Sequence, residues 1–232
     1  AIGMGINMDL DHVFFSNLKK FDGKKLRRLN LSEIGQIAGR AGRYLNDGNF
    51  GITGQCKELN AEEVDLLESH QFENIQSLFW RNSNLNFSNP NSLIKSLDER
   101  PNKDWLRKIH ECEDEKALKF FIKDKNLKNV EFNTENLSLL WECCQIPDFV
   151  KKTYGNHYEV IENVFKFLIS KKRKITDNFM RLQLMKLDKL EGNVDSLSNR
   201  IANVRTWSYV SNKNNWVENQ EFWIEKTKLL ED

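Results

Sequence analysis

The sequence has no apolar run approaching eighteen residues, so no segment reads as a membrane-spanning helix. It has no charge excess either. Its 35 Lys and Arg face 34 Asp and Glu, which excludes a polybasic binder acting through bulk charge. Cysteine is scarce: four in 232 residues, with Cys143 and Cys144 adjacent, which excludes a disulfide scaffold and fits a reducing compartment. Glycine is nearly missing beyond residue 57, where only two of the eleven fall. What remains, 39% apolar and 30% charged residues, is a globular composition with material for one large domain or two small ones.

The glycine shift coincides with a shift in charge. Residues 1–57 carry nine basic groups against five acidic, and residues 58–232 carry 26 against 29. The first block reads as strand, helix, strand. His12 to Phe15 is a short apolar run, Ser32 suits an N-cap for a helix reaching Arg40 or Tyr44, and Phe50 to Thr53 is a second strand. That is half of an α/β domain. From residue 60 helical patterns take over. Asn60 and Glu63 form a capping box for a helix to Glu68, and 78–87 reads as an extended connection or a short strand. Helices are expected at 90–98, 103–110, 114–123, 134–144, 157–170, 175–191, 194–210 and 219–231. An apolar stripe runs through Met180, Leu184, Leu187, Leu190, Val194, Leu197, Ile201 and Val204. It belongs to one long helix or to two that meet at Gly192, packed within a helical domain or paired between molecules. The chain opens without Met and ends on an uncapped amphipathic run, so a piece of a longer protein is expected.

The strongest chemical signal is QIAGRAGR at 36–43. On a helix, Gln36, Arg40 and Arg43 share one face, with Gly39 and Gly42 keeping bulk away from it. Two guanidiniums and an amide on a bare face suit a polyphosphate, and a solvated basic helix is the alternative. The remaining candidates are weaker. His110 and Cys112 lack two further zinc ligands, so no metal site is expected. Cys143 and Cys144 read as core, and the acids at 111–115 as a solvated helix start. Trp207 and Trp216 read as packing or, with Arg205 and Tyr209, as an RNA contact.

QIAGRAGR resembles motif VI of superfamily 2 helicases, and GMGINMDLDHVFF at 3–15 resembles the motif V region, about thirty residues earlier. The wording is most similar to the Suv3-like branch of DExH RNA helicases. Stretches 63–87 and 200–216, and more loosely 131–149, resemble the helical region that follows the motors in its bacterial members. The fold implied is an α/β remnant, over 1–57, of the second RecA-like helicase domain, followed over 58–232 by a mainly α-helical domain that is incomplete at its end.

The resemblance also implies roles. Arg43 is the arginine finger on the γ-phosphate of ATP, Arg40 its companion, and Gln36 a contact to nucleotide or attacking water. Gly3 and Gly5 offer backbone amides to phosphate, and Asn7 or Asp9 faces the nucleotide. Lys24, Lys25, Arg27 and Arg28, in KKFDGKKLRR, contact the RNA backbone. Apart from the resemblance, the charge run Lys171, Lys172, Arg173 and Lys174 reads as a solvated loop or, with Lys151 and Lys152 nearby, as the exit of an RNA path. No GxxxxGK[ST] loop or DExH pair occurs in the chain. ATP and Mg2+ are therefore expected on a preceding motor domain acting in cis, and the chain alone is expected to be inactive. RNA is the expected partner and a ribonuclease a further one. The expected location is bacterial cytoplasm, with the mitochondrion as alternative. A non-catalytic helical adaptor that keeps a helicase remnant is the rival reading, and a DNA-directed helicase a third.

Overall fold

The structure, a computed structural model, describes residues 10–21, 25–42, 46–123, 127, 130–150, 154–170, 173–189 and 191–232. The chain divides into two compact units, residues 1–76 and 77–232. The packing boundary thus falls later than the compositional one at 57.

In the first unit, β1 (His12–Phe15) and β4 (Asn49–Ile52) pair in parallel, Val13 opposite Phe50 and Phe15 opposite Ile52. Both strands lie where the sequence puts them. Strand alternation turns Val13 and Phe15 inward and leaves His12 and Phe14 exposed. Between the two strands come an antiparallel pair, β2 (Lys19–Phe21) and β3 (Leu26–Arg28), and then α1 (Leu31–Ala38). The basic tract KKFDGKKLRR is therefore folded into paired strands and is not a plain connection. Helix α2 (Ala61–Glu68) packs against α1, carrying the expected Asn60–Glu63 capping box. Val13, Phe15, Leu18, Ile34, Ala38 and Leu67 form the core of this unit.

The second unit begins with a parallel pair, β5 (Leu78–Trp80) and β6 (Leu106–Lys108), joined by a crossover that contains α3 (Pro90–Leu97). The expected helix at 103–110 is replaced by β6. A turn closed by Leu106 N–H donating to Lys103 O (3.0 Å) feeds the strand, and Leu78 N–H donates to Trp105 O (2.9 Å). Long-range pairing outweighs the local preference of a segment too short to hold a helix alone. Six helices follow among the described residues: α4 (Glu113–Lys123), α5 (Thr134–Cys144), α6 (Tyr154–Ile169), α7 (Asp177–Met185), α8 (Val194–Asn212) and α9 (Gln220–Glu231).

The apolar stripe across Gly192 belongs to two helices. Asn193 caps α8 by accepting from Ser196 N–H (2.9 Å), and Gly192 adopts φ +152°. Met180, Leu184 and Val204 are buried and Leu187 packs against their core, Leu197 and Ile201 are partly buried, and Val194 is 83% exposed, so the stripe is interior packing at its two ends and not around Val194. Cys143, Cys144, Trp207 and Trp216 are buried in this core, which settles them as packing residues. Burial holds the Cys143 and Cys144 thiols well above their ordinary range.

One expectation fails here for an instructive reason. The acidic cluster at 111–115 is only partly a solvated helix start, because Glu115 is buried. Arg81 donates both Nη groups to Asp114 (2.8 and 3.0 Å), lies 3.3 Å from Glu115 Oε1, and stacks on Trp141 with its Cζ 4.9 Å from the ring centroid. Arg81, 33 residues before Asp114, thus meets Asp114 and Glu115, while Lys119 and Lys116 pair with Glu111 and Glu113.

Candidate functional site: the glycine turn and the basic surfaces

Helix α1 positions the motif. Asn30, not Ser32, is its N-cap: the Asn30 side chain accepts from Glu33 N–H (2.9 Å), and the Glu33 carboxylate accepts from Asn30 N–H (3.0 Å). Ser32 donates its hydroxyl to Asn30 Oδ1 (2.9 Å) and so supports the cap. The helix ends at Ala38, short of the expected Arg40 or Tyr44. Gly39, Arg40 and Ala41 leave it through bonds to Gly35 O, Ile37 O and Ala38 O (2.8, 3.1 and 2.9 Å). Ala41 then bridges in parallel to Leu10, with Gly42 N–H donating to Leu10 O (2.7 Å). This places the Arg40–Gly42 segment beside the entry to β1.

The glycines at this turn are there for backbone approach. A Cβ on Gly48 would stand 2.1 Å from Ala41 C and Gly42 N, and Gly42 adopts φ +72° with Asn46 O 2.5 Å from a Cβ position. The chain after α1 therefore doubles back closely on itself. Gln36 is exposed on α1, and Arg40, half-buried, lies beyond the helix end, so these two do not share the single helical face that the spacing predicts. Arg43 lies outside the described residues. So do Gly3, Gly5, Asn7, Asp9, Lys24, Lys171 and Lys172.

The basic tract is tied to the protein's own carboxylates. Arg27 grips Glu33 with both Nη atoms (2.8 and 2.9 Å), and Lys20 joins the same carboxylate. Arg28 grips Glu63 in the same bidentate way (2.6 and 3.0 Å). The hydrogen bonds from Arg27, joined by those from Lys20 and Asn30 N–H, hold Glu33 far below the carboxylate range despite some desolvation. Arg28 likewise lowers Glu63, and Glu63 raises Arg28. Arg27 and Arg28 thereby fasten the β2–β3 pair to α1 and α2. Lys25 is exposed at the start of β3. In the second unit Arg173, at φ +51°, pairs with Glu135 across a well-exposed contact (2.7 Å), and Lys174 precedes Ile175, which bridges to Val217.

Among the described residues no group of three or more His, Cys, Asp or Glu side chains is placed to hold a metal ion, and no helix is long and apolar enough to cross a membrane. The pairing of Arg27, Arg28 and Arg81 with carboxylates was not legible in sequence, because each partner is remote or on the next element. The Asp22-Gly23 dipeptide was the available signal for the β2–β3 hairpin.

No family model and no solved structure matches the chain. Curated proteins do. A DExH-box ATP-dependent RNA helicase of Arabidopsis thaliana, DExH16, mitochondrial, is 48% identical over 69 residues, which is 30% of this chain and 12% of that protein. The mitochondrial ATP-dependent RNA helicase SUV3 of Oryza sativa subsp. japonica is 48% identical over 69 residues, 30% of this chain and 11% of its own length. The mitochondrial SUV3 of Saccharomyces cerevisiae is 48% identical over 44 residues, 19% and 6% of the two chains. The matched part thus spans a small fraction of each relative. Their mitochondrial names overturn the expected bacterial cytoplasmic location and point to the mitochondrion. Over the matched part, then, this chain is similar to the Suv3-like DExH-box ATP-dependent RNA helicases, as its own motifs indicate.

Proposed function

We propose that the chain is part of an ATP-dependent RNA helicase, with its first unit derived from the second RecA-like motor domain and its second from the helical region that follows. The observation that carries this reading is the local identity with Suv3-like helicases. The glycine turn after α1 supports it, since that turn places Arg40 just past the end of a helix, beside the entry to a parallel strand pair.

In this reading Arg43 reaches the γ-phosphate of ATP held by the other motor domain, and Arg40 assists on the phosphates. Gln36 orients the nucleotide or the attacking water. Gly3 and Gly5 present amides to phosphate, with Asn7 or Asp9 on the nucleotide side. Phosphoryl transfer needs little covalent help from protein. It needs in-line positioning and neutralisation of the charge spread over the transferring oxygens, which a guanidinium fork supplies at fixed geometry. ATP is the substrate, and Mg2+ is assigned to the other motor domain, since the sequence carries neither a GxxxxGK[ST] loop nor a DExH pair. Lys24, Lys25 and Lys171–Lys174 with Arg173 are the cations proposed for RNA phosphates. Arg27 and Arg28 act on that surface by holding the hairpin in place. A ribonuclease partner is part of the same proposal.

RNA-stimulated ATP turnover of the full-length parent, wild type beside Arg43→Ala, tests the reading. A loss of about 10³-fold or more with RNA binding retained is the expected result. Unchanged turnover removes Arg43 from the reaction, and a wild-type parent without ATPase activity favours the adaptor.

A further inference from the structure

The second unit exposes aromatic side chains on the parallel pair β5–β6, where a folded domain ordinarily hides them. Phe79 is 78% exposed and Trp105 49% exposed. Phe79 stands opposite Arg107 in the register, so their side chains leave the same face of the sheet, and Arg107 is exposed there too. Trp105 adjoins the pair in the turn that feeds β6, where its carbonyl accepts from Leu78 N–H (2.9 Å). Lys103 holds its ammonium 5.2 Å from the Trp105 ring centroid. The opposite face carries Trp80, Leu106 and Lys108, all partly buried, together with the exposed Leu78, and Lys108 is engaged by Asp98.

We infer that this face is a stacking platform for single-stranded RNA, with Phe79 and Trp105 as the base-stacking rings and Arg107 and Lys103 as the phosphate contacts. The inference rests on the functional reading above and deepens it by adding a binding surface separate from the basic tracts. Charge selects the occupant. Lys103 lies over the Trp105 ring and Arg107 opposite Phe79, with Asp104 as the exposed acid between them, while the exposed acids Asp98 and Glu99 just before are engaged by Lys108 and Asn82. A greasy protein contact would not need guanidinium and ammonium groups placed between its aromatics. A single strand needs both, since every base has a π face and every linkage an anion. A two-stranded sheet also leaves the platform rigid on one side and open on the other.

The test measures binding of the 232-residue chain, without ATP, to a fluorescent 12-nucleotide oligouridylate and to an abasic strand of the same length and charge. Phe79→Leu and Trp105→Leu keep the apolar bulk and remove the π face. Each is expected to weaken oligouridylate binding by about 5- to 100-fold, as alanine substitution does at other stacked bases. Phe79→Tyr is expected to bind within about twofold of wild type, and the abasic strand is expected to ignore Phe79→Leu. Both rings are exposed, so circular dichroism and thermal melting should match wild type. Oligouridylate affinity unchanged in Phe79→Leu and Trp105→Leu overturns the platform, as does a wild-type chain that binds no oligouridylate. If Phe79→Leu alters self-association in sedimentation while RNA binding stays intact, the face is a protein contact and the proposal falls. The two readings fail separately. RNA binding that ignores Phe79 sinks the platform alone, and a parent that lacks RNA-stimulated ATPase while Phe79→Leu still weakens binding sinks the helicase reading alone.

Discussion

Arg27 and Glu33 meet through two parallel hydrogen bonds of 2.8 and 2.9 Å, and the carboxylate that closes them is the same one that completes the N-cap of α1. One residue therefore anchors the β2–β3 hairpin and starts the helix that leads to the motif turn. Loss of either function loosens both.

The first prediction is a pH dependence. Glu33 titrates below its unfolded range, so its contribution is present above about pH 4.3, the ordinary carboxylate value, and is lost as pH falls through the folded pKa. The first unit contains no tryptophan, so fluorescence is blind to it. Amide exchange at Ile34–Ala38 is the appropriate measure. Protection should fall as pH drops below about 4 once the intrinsic exchange rate is accounted for, and Glu33→Gln should flatten that dependence. Asn30→Ala should lower protection by about 1 kcal/mol through loss of the cap alone.

The second prediction concerns the turn. Gly48→Ala forces a Cβ into the Ala41–Gly42 peptide, a backbone atom that cannot swing aside. The expected cost is about 1–3 kcal/mol or more, read as lost protection of the Gly42 amide that donates to Leu10 O. On the proposed helicase reading, the same substitution in the full-length parent should reduce ATP turnover towards that of Arg43→Ala, because it displaces the Arg40–Gly42 segment. Full protection and full turnover in Gly48→Ala would refute the tight turn.

How far the sequence carried these features depends on where the deciding interaction lies. The capping box at Asn60, strand β1 and the extent of α5 were legible because each is settled by neighbours within a turn or two. The cap of α1 was misplaced by two residues because Asn30 and Ser32 both qualify locally. What decides between them is reciprocity, since Glu33 is the third residue after Asn30. The end of α1 was missed because a bond from Gly42 to Leu10 ends it, and residue spacing does not report that bond. Strand β6 was missed for the same kind of reason, its partner lying on the far side of a crossover. In the motif segment, residue types pointed to phosphate chemistry, while the helix stops at Ala38 and leaves Arg40 beyond its end.

A third prediction follows from the ion pairs around Arg81. Desolvation is the largest single influence and opposes its charge, but the hydrogen bonds to Asp114 together with the charges of Asp114 and Glu115 outweigh it and hold the guanidinium above its ordinary range. Arg81→Met should destabilise the second unit by about 2–4 kcal/mol. That is below the full figure for a broken buried pair, because the side chain keeps 29% exposure. Glu115 behaves oppositely to Glu33. Burial raises its pKa, so its contribution is complete below the unfolded value and is lost as pH rises through the folded one. Glu115→Gln should therefore match wild type near pH 4 and equal or exceed it at pH 8, by urea titration of tryptophan fluorescence, all six tryptophans lying in this unit. A variant clearly weaker than wild type at pH 8 would show that the Glu115 charge is needed beside Arg81.

The last prediction separates cations that hold the fold from cations offered to RNA. Arg173 and Glu135 are 71% and 67% exposed, so their pair contributes less than about 1 kcal/mol, and a phosphate competes readily for the guanidinium. Arg28 faces Glu63, whose side chain is only 15% exposed and which is also committed to the cap of α2. Arg173→Gln should leave thermal stability unchanged and lower the salt dependence of RNA binding by about one unit of slope in log affinity against log salt. Arg28→Gln should do the reverse, reducing amide protection in α2 while changing the salt slope little, because its guanidinium already has an anion. If Arg28→Gln lowers the slope by a full unit and leaves α2 protected, Arg28 leaves Glu63 for the nucleic acid, and the pair is a switch between the two anions rather than a staple.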